Sequence, residues 1–178
     1  MKRCEAGKGS ARFGNRAPAA DSYVRDGSPN SNFGNASAVE VRVATSGNNR
    51  WTYLRFNIGG LSTIQAARLR LFGNLTSTTT TAVQARVFSS TNLTWGEGSI
   101  TWNNKPAPGA TVLASVPLVI NSTTARWYEW DLTAFLQAEK AAGRTAVTLV
   151  LRNDVATPNT TFRSRQASSN RPELRITP

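Results

Sequence analysis

Apolar and polar residues alternate with a period of two in short segments along most of the chain. Val39, Val41 and Val43 alternate with Glu40 and Arg42, and side chains alternate between the two faces of a β-strand in the same way. Polar turns rich in Gly, Asn, Ser and Thr separate the segments. The other predicted strands are 22–25, 51–58, 67–72, 83–88, 112–119, 126–132, 145–152, 162–165 and 174–176. This pattern predicts an all-β fold with about ten strands.

One segment has helical spacing instead. Leu132, Phe135 and Leu136 would share one face of a helix within residues 131–143, and Gly143 would end it. The predicted fold is a two-sheet antiparallel β-sandwich, of the jelly-roll type, with one short helix. Residues 1–20 lack periodicity and are predicted to be a disordered tail or linker. Residues 21–178 are predicted to form a single β-sandwich domain.

Composition excludes several kinds of chemistry. The chain has no histidine, so a Ser-His-Asp triad is impossible and most zinc sites are excluded. Its single cysteine, Cys4, permits no internal disulfide. The 21 basic and 10 acidic residues give a net charge of +11. Such a charge attracts polyanions, either nucleic acid, anionic polysaccharide or an anionic membrane surface, although a charge that serves solubility is the alternative.

No apolar run is long enough for a transmembrane helix, so membrane insertion is not expected. The first 14 residues are basic and lack the apolar core of a secretory signal. The chain is therefore either intracellular or a piece of a larger secreted protein. Its richness in Ser, Thr and Asn favours the second interpretation.

Five blocks resemble a known family in order and spacing. The most specific of them is 95–106, which reads WGEGSITWNNKP. The other blocks are 21–34, 49–56, 130–133 and 162–174. Together they resemble the DNRLRE-type domain, which is grouped as carbohydrate-binding module family 96 and is related to disaggregatase repeats. Gln166 departs from the family pattern, which usually has an acidic residue at this position.

The resemblance implies a noncatalytic module attached to a secreted bacterial polysaccharide-degrading enzyme or surface protein. It therefore implies a secreted or cell-surface location and a catalytic domain in the parent chain. Characterised members of the group are associated with alginate, an anionic polyuronate. The expected partner is an anionic polysaccharide, and we expect a monomer. Nucleic-acid binding is not favoured, because the chain has no aromatic-basic motif of a known reader.

Arginine pairs bidentately with carboxylates, so an Arg-rich sheet face would suit a polyuronate. Alternation places Arg68 and Arg70 on one face of their strand, opposite Leu69 and Leu71. The alternative interpretation is a solvated outer face with cross-strand ion pairs. The predicted ligand-binding residues are Arg42, Trp51, Tyr53, Arg55, Arg68, Arg70, Arg86, Arg163 and Arg165.

The five Trp residues are divided by their context. Trp95, Trp102 and Trp130 are predicted to anchor the core or a loop, because Trp is usually largely buried. Trp51 and Trp127 are the better candidates for exposure.

The sequence also offers a candidate calcium site. Related sandwich modules often hold a structural calcium ion, and oxygen-bearing side chains alternate in residues 26–32. Asp21 or Asp26 would be its ligand. A loop of Asx-turns without an ion is the alternative.

The sequence contains no clear set of catalytic residues. A glycosidase requires paired carboxylates. The candidates are Glu97, Glu129, Asp131 and Asp154. A lyase would need Tyr53 or Tyr128 with Arg55. The predicted function is thus noncatalytic binding of an acidic polysaccharide, with an extracellular adhesion or structural domain, or a small polysaccharide lyase, as alternatives.

Overall fold

The computed structural model describes residues 14–61 and 63–178, which form eleven strands and one helix. The elements are β1 (Gly14–Arg16), β2 (Ala20–Arg25), β3 (Ala38–Val41), β4 (Arg50–Asn57), β5 (Ala66–Leu75), β6 (Gln84–Ser90), β7 (Ala114–Pro117), β8 (Arg126–Asp131), α1 (Thr133–Ala141), β9 (Ala146–Asn153), β10 (Thr160–Arg163) and β11 (Glu173–Thr177). The predicted all-β sandwich with one short helix is confirmed.

The strands form two antiparallel sheets. Sheet A has the order β1-β11-β5-β10-β3, with β8 on the other edge of β5. Sheet B has the order β2-β4-β9-β6-β7. Successive strands repeatedly change sheet, as they do in jelly rolls. In consequence each sheet presents one face to the common core and one outward.

The main core lies between the inner faces. Leu69 and Leu71 of β5 and Leu54 and Phe56 of β4 are fully buried, as the alternation predicted. Trp130 is also fully buried, and its indole N–H donates to the carbonyl of Ala85 in the opposite sheet at 2.8 Å. This hydrogen bond satisfies the polar atom of the largest core side chain.

The predicted helix is confirmed over Thr133–Ala141. Leu136 is buried, and the backbone N–H of Thr133 donates to the Asp131 carboxylate at 2.9 Å. Gly143 follows the helix with φ of 74°, a left-handed conformation that glycine adopts without steric cost.

The domain boundary differs from the prediction. Gly14–Arg16, assigned above to a tail or linker, forms β1 and pairs with β11 in the register Gly14 to Ile176. Ala20 already belongs to β2 and is buried. Such a short edge strand has no internal period, so only its pairing partner identifies it. Residues 1–13 of the predicted tail lie outside the described residues.

The connection between β6 and β7, residues 91–113, lies across the outer face of sheet B. Trp95 and Ile100 from this connection pack on Tyr53 and Val150, forming a second apolar cluster outside the main core. One sheet is therefore covered on both faces in this region.

Candidate carbohydrate-binding site

Arg70 on the outer face of sheet A is neutralised by carboxylates on both neighbouring strands. It contacts Glu129 of β8 at 2.6 Å and Glu173 of β11. Arg68 lies 3.6 Å from Glu129 and opposite Asp131 in the strand register. This surface alternates in charge, so the predicted basic stripe is wrong here and the alternative of cross-strand ion pairs applies.

The remaining predicted arginines do not share one face. Arg163 lies on β10 of sheet A, and Arg42 forms an isolated bridge with Arg50 beyond the end of β3. Arg55 and Arg86 belong to sheet B. The single Arg stripe fails because alternation specifies the face of each strand but not which sheet the strand joins.

Two of the predicted arginines, Arg55 and Arg165, donate hydrogen bonds to backbone carbonyls. The Arg55 guanidinium donates to the carbonyls of Leu93 and Trp95 at 3.0 and 2.9 Å. The Arg165 guanidinium donates to the carbonyl of Ala19 and pairs with Glu97, both at 3.0 Å. These contacts hold the 91–113 connection on the domain.

The prediction that Tyr53 lines a ligand surface is contradicted by its burial. Its side chain is fully buried, and its phenol donates to the Pro106 carbonyl at 2.7 Å. Burial raises the pKa of this phenol above its ordinary value. The alternation of β4 correctly turned Tyr53 outward, but the 91–113 connection then covers it.

A group of aromatic and cationic residues lies on the same face, where that cover ends. We call it the Trp51 cluster, and it consists of Trp51, Phe88, Trp102, Lys105 and Arg152. Each member is half-buried. Neighbouring strands and the connection supply them together, so the surface combines a rigid sheet with a loop.

The two cations of the Trp51 cluster lie over aromatic rings. The Arg152 guanidinium carbon is 4.2 Å from the Trp51 ring centre and 5.6 Å from that of Phe88. The Lys105 ammonium is 3.7 Å from the Trp102 ring centre and 5.1 Å from that of Trp51. Cation–π attraction holds both cations at the surface instead of letting them extend into solvent.

Neither cation forms an ion pair within the described residues. Among residues 14–61 and 63–178, no carboxylate forms an ion pair with Lys105 or Arg152. The Lys105 ammonium donates to the Trp102 carbonyl at 2.8 Å, and Nε of Arg152 is buried without a hydrogen-bond partner. Partial burial lowers the pKa of both groups, against the opposing effect of Asp26 on Lys105. An anion can therefore bind to the cluster without displacing a carboxylate from either cation.

Arg86, a predicted site residue, lies beside the Trp51 cluster. It faces Arg152 across the pairing of β6 with β9 and contacts Asp154 at 3.3 Å. Trp51 is the predicted residue that the structure places within the cluster itself. Its role in ligand binding stays a prediction.

Sequence reasoning missed four cluster members: Phe88, Trp102, Lys105 and Arg152. Trp102 was predicted to anchor the core or a loop; it packs against the second apolar cluster and is half-buried beside Trp51, with ring centres 5.0 Å apart. Arg152 ends a strand whose apolar residues point to both faces. Apolar residues on both faces of a strand indicate that both faces of the sheet are covered. A cation near the end of such a strand indicates where the covering segment ends.

The two predicted calcium ligands, Asp26 and Asp21, both accept hydrogen bonds from the protein. Both Asp26 oxygens accept hydrogen bonds from Asn49 and Gly47 at 2.7 to 3.0 Å. Partial burial raises the pKa of Asp26, but these donors outweigh it and the net shift is downward. Asp21 accepts the backbone N–H of Arg165 at 2.6 Å. No group of three metal-ligating side chains occurs in the described part of the chain, and calcium binding stays a prediction.

Comparison with known proteins decides the family. The model of carbohydrate-binding module family 96 matches residues 13–178, nearly the whole chain. The chain belongs to this family. It is a carbohydrate-binding module, as the five sequence blocks predicted, and the match begins at residue 13, close to β1.

A gellan lyase from a Bacillus species is a distant relative. It is 26% identical over 145 residues, which cover 79% of this chain and 6% of the lyase. The matched region is thus a small part of a much longer enzyme.

In the described residues of the present chain, no helix is both long and apolar enough to cross a membrane.

Proposed function

We propose that this module binds an acidic polysaccharide, alginate or another polyuronate, on the Trp51 cluster and breaks no bond in it. The observation that carries the proposal is the pair Lys105 and Arg152, two cations held on aromatic rings without a carboxylate partner among the described residues. A polyuronate displays one carboxylate on each sugar and would supply the missing counter-charges.

The chemistry of recognition follows from the two cations. The planar guanidinium of Arg152 can donate two parallel hydrogen bonds to one carboxylate, while Lys105 acts as a compact point charge. Both are partly withdrawn from water, which strengthens their attraction for an anion. The half-buried rings of Trp51 and Trp102 offer apolar surface to the C–H face of a sugar.

The lyase alternative finds little support in the contacts of its candidate residues. Tyr53 is fully buried and its phenol is bound to Pro106, while the Arg55 guanidinium is bound to two carbonyls. Tyr128 is also buried, and its phenol oxygen accepts the N–H of Val119. A general base must reach the proton that it removes, and both tyrosines are buried with their phenol oxygens in hydrogen bonds to the protein.

The gellan lyase relative supports an ancillary role. We propose that the module is attached to a catalytic domain of a secreted polysaccharide-degrading enzyme and keeps that domain near its substrate. Gellan joins alginate among the candidate ligands, because the relative is named for it. An adhesion or structural role is the second candidate.

Isothermal titration calorimetry against a panel of glycans tests the proposal. The panel contains alginate, pectate, gellan, heparin, single-stranded DNA and a neutral glucan, each at low and at physiological salt. We expect one or more uronate polymers to bind at physiological salt and the neutral glucan not to bind. Equal weak binding of every polyanion, lost in salt, would show unspecific charge attraction instead.

The site is tested by two variants that each remove one positive charge. Arg152→Ala removes an unpaired cation and should weaken uronate binding by about 10-fold or more. Arg144→Ala removes an exposed cation that lies 3.8 Å from Glu139, away from the cluster. It should leave affinity nearly unchanged. Equal losses in both variants would contradict the assignment of the Trp51 cluster.

A further inference from the structure

A groove on the outer face of sheet A is not used by the proposed function. Its rim carries Phe72, Asn74, Thr161 and Arg163, and Gly73 of β5 pairs with Phe162 of β10 at its floor. We call it the Phe72 groove. It lies on the opposite side of the sandwich from the Trp51 cluster, since β5 and β10 belong to sheet A and β4 and β9 to sheet B.

An aromatic pair borders the groove. Phe72 and Trp127 are directly opposite in the pairing of β5 with β8, and their ring centres are 5.5 Å apart with an angle of 66°. Both side chains are half-buried on an outer sheet face. The Arg70 guanidinium lies 4.4 Å from the Trp127 ring centre and orients this indole. The result is a fixed apolar platform at the surface, as in many ligand sites.

Polar groups beside this platform have unused hydrogen-bonding capacity. Arg163 is exposed, and neither its guanidinium nor the Thr161 hydroxyl contacts a hydrogen-bond partner within the described residues. Asn74 donates its amide to the Leu75 carbonyl at 2.7 Å, so its side-chain oxygen is left to accept. A cation, a hydroxyl and an amide oxygen thus converge on one depression.

Arg163 differs from the other arginines of sheet A in this respect. Arg70 is held between two glutamates, and Arg68 lies near Glu129. Arg163 faces Ala38 across its strand pair, and the nearby Glu40, which lies opposite Thr161, is already paired with Arg50 at 2.7 Å. The positive charge at the groove is therefore not cancelled locally, and it complements an anionic ligand.

We infer that the Phe72 groove is a second binding site for an acidic polysaccharide. The sugar face packs on Phe72 and Trp127, and a carboxylate pairs with Arg163. The inference rests on the proposed function for its ligand class. Since two packed sheets separate the groove from the Trp51 cluster, a short oligosaccharide cannot contact both sites. One module therefore bridges two stretches of polysaccharide.

The stoichiometry of a short oligouronate, measured by calorimetry, tests this inference. We expect two oligosaccharides per chain for the unmodified module and one for Arg163→Ala. That variant changes an exposed side chain and should fold normally. Trp127→Ala tests the platform independently, with its fold checked by circular dichroism, and should weaken the same binding event by about 10-fold. Arg144→Ala is the charge control.

The outcomes separate the two sites. Loss of one binding event in Arg163→Ala, together with loss of the other in Arg152→Ala, supports both. If Arg152→Ala binds as the unmodified module does while Arg163→Ala loses binding, the groove is a site and the Trp51 proposal fails. A single binding event that Arg163→Ala and Trp127→Ala leave intact overturns the groove.

Bridging is a second and independent measurement. Light scattering of a long polyuronate should increase on addition of the unmodified module, because each molecule joins two chains. Arg163→Ala should still bind but should not increase the scattering. Undiminished scattering with this variant would overturn the bridging inference.

Discussion

Arg70 on the outer face of sheet A and Arg152 on the outer face of sheet B have their charges compensated differently. On sheet A, Arg70 lies between Glu129 and Glu173. On sheet B, Arg152 lies over Trp51 and forms no ion pair with any described carboxylate. A count of positive residues would treat these two arginines alike.

The comparison teaches that local pairing, more than net charge, decides where an anion can bind. A ligand at Arg70 would have to displace two carboxylates, whereas a ligand at Arg152 replaces a weaker contact with an aromatic ring. The 91–113 connection creates this difference, because it covers the sheet and keeps Lys105 and Arg152 partly out of water. Four predictions test the contrast between the faces.

The largest effect is expected from removing both cations of the Trp51 cluster. Lys105→Ala with Arg152→Ala should lower the affinity of the Trp51 cluster for a short oligouronate by about 100-fold or more, since each lost charged contact is worth about 1.5–3 kcal/mol. Arg68→Ala with Arg144→Ala removes the same charge from paired, exposed positions. This control should lose little affinity at physiological salt. Matching losses would remove the distinction between paired and unpaired cations.

The second prediction concerns Asp21, which helps to fasten the cover of sheet B. Its pKa is raised from 3.8 to about 7. Desolvation by burial is the largest cause; the Arg165 backbone hydrogen bond opposes it, and the charge of Glu97 adds to it. Folding thus favours the protonated carboxyl. The stability that this supplies is present below pH 4 and is lost as the pH rises toward 7.

Urea unfolding of the unmodified module and Asp21→Asn between pH 4 and 8 measures this effect. The amide does not titrate, so the stability of the unmodified module should fall relative to that of the variant as the pH rises. Two curves that run parallel over this range would show that Asp21 has an ordinary pKa.

A smaller effect is expected at Tyr53. Tyr53→Phe leaves the Pro106 carbonyl without its buried donor. It should cost about 1 kcal/mol of stability, or roughly 2–4 °C in Tm. Uronate affinity should also fall, because Pro106 adjoins Lys105. In Tyr23→Phe, the control, no described hydrogen bond is removed, and Tm should change less. Equal shifts in both variants would contradict the role of Tyr53.

The smallest effect is expected on sheet A. Arg68→Ala removes an exposed pair with a distance of 3.6 Å and should change stability by less than about 0.5 kcal/mol. Thermal unfolding measures it. A loss of several degrees would mean that the alternating charges of this face act as a cooperative network.

Much of the fold was predictable because alternation is a local property. The period of two identified Leu69 and Leu71 as core residues, and helical spacing identified Leu136. β1 was not predictable in this way, because only its pairing with β11 distinguishes it from a tail.

The candidate site was predicted less well. Trp51 was identified as a surface aromatic, while Lys105 and Arg152, which come from distant parts of the chain, were not assigned to any site. Tyr53 was placed on the correct face and assigned the wrong environment. Both outcomes have one cause, since the position of the 91–113 connection depends on long-range contacts such as those of Arg55 and Arg165.

By itself, the sequence determined the class of fold, the family and the absence of histidine chemistry, because each of these depends on residue type and local spacing. Only the tertiary structure decided which cations are paired. Charge compensation depends on strand neighbours and on loops that cross a sheet, as the carboxylates on either side of Arg70 and the aromatic rings beneath Arg152 show. Those neighbours come from segments far apart in the chain, and no local pattern specifies them.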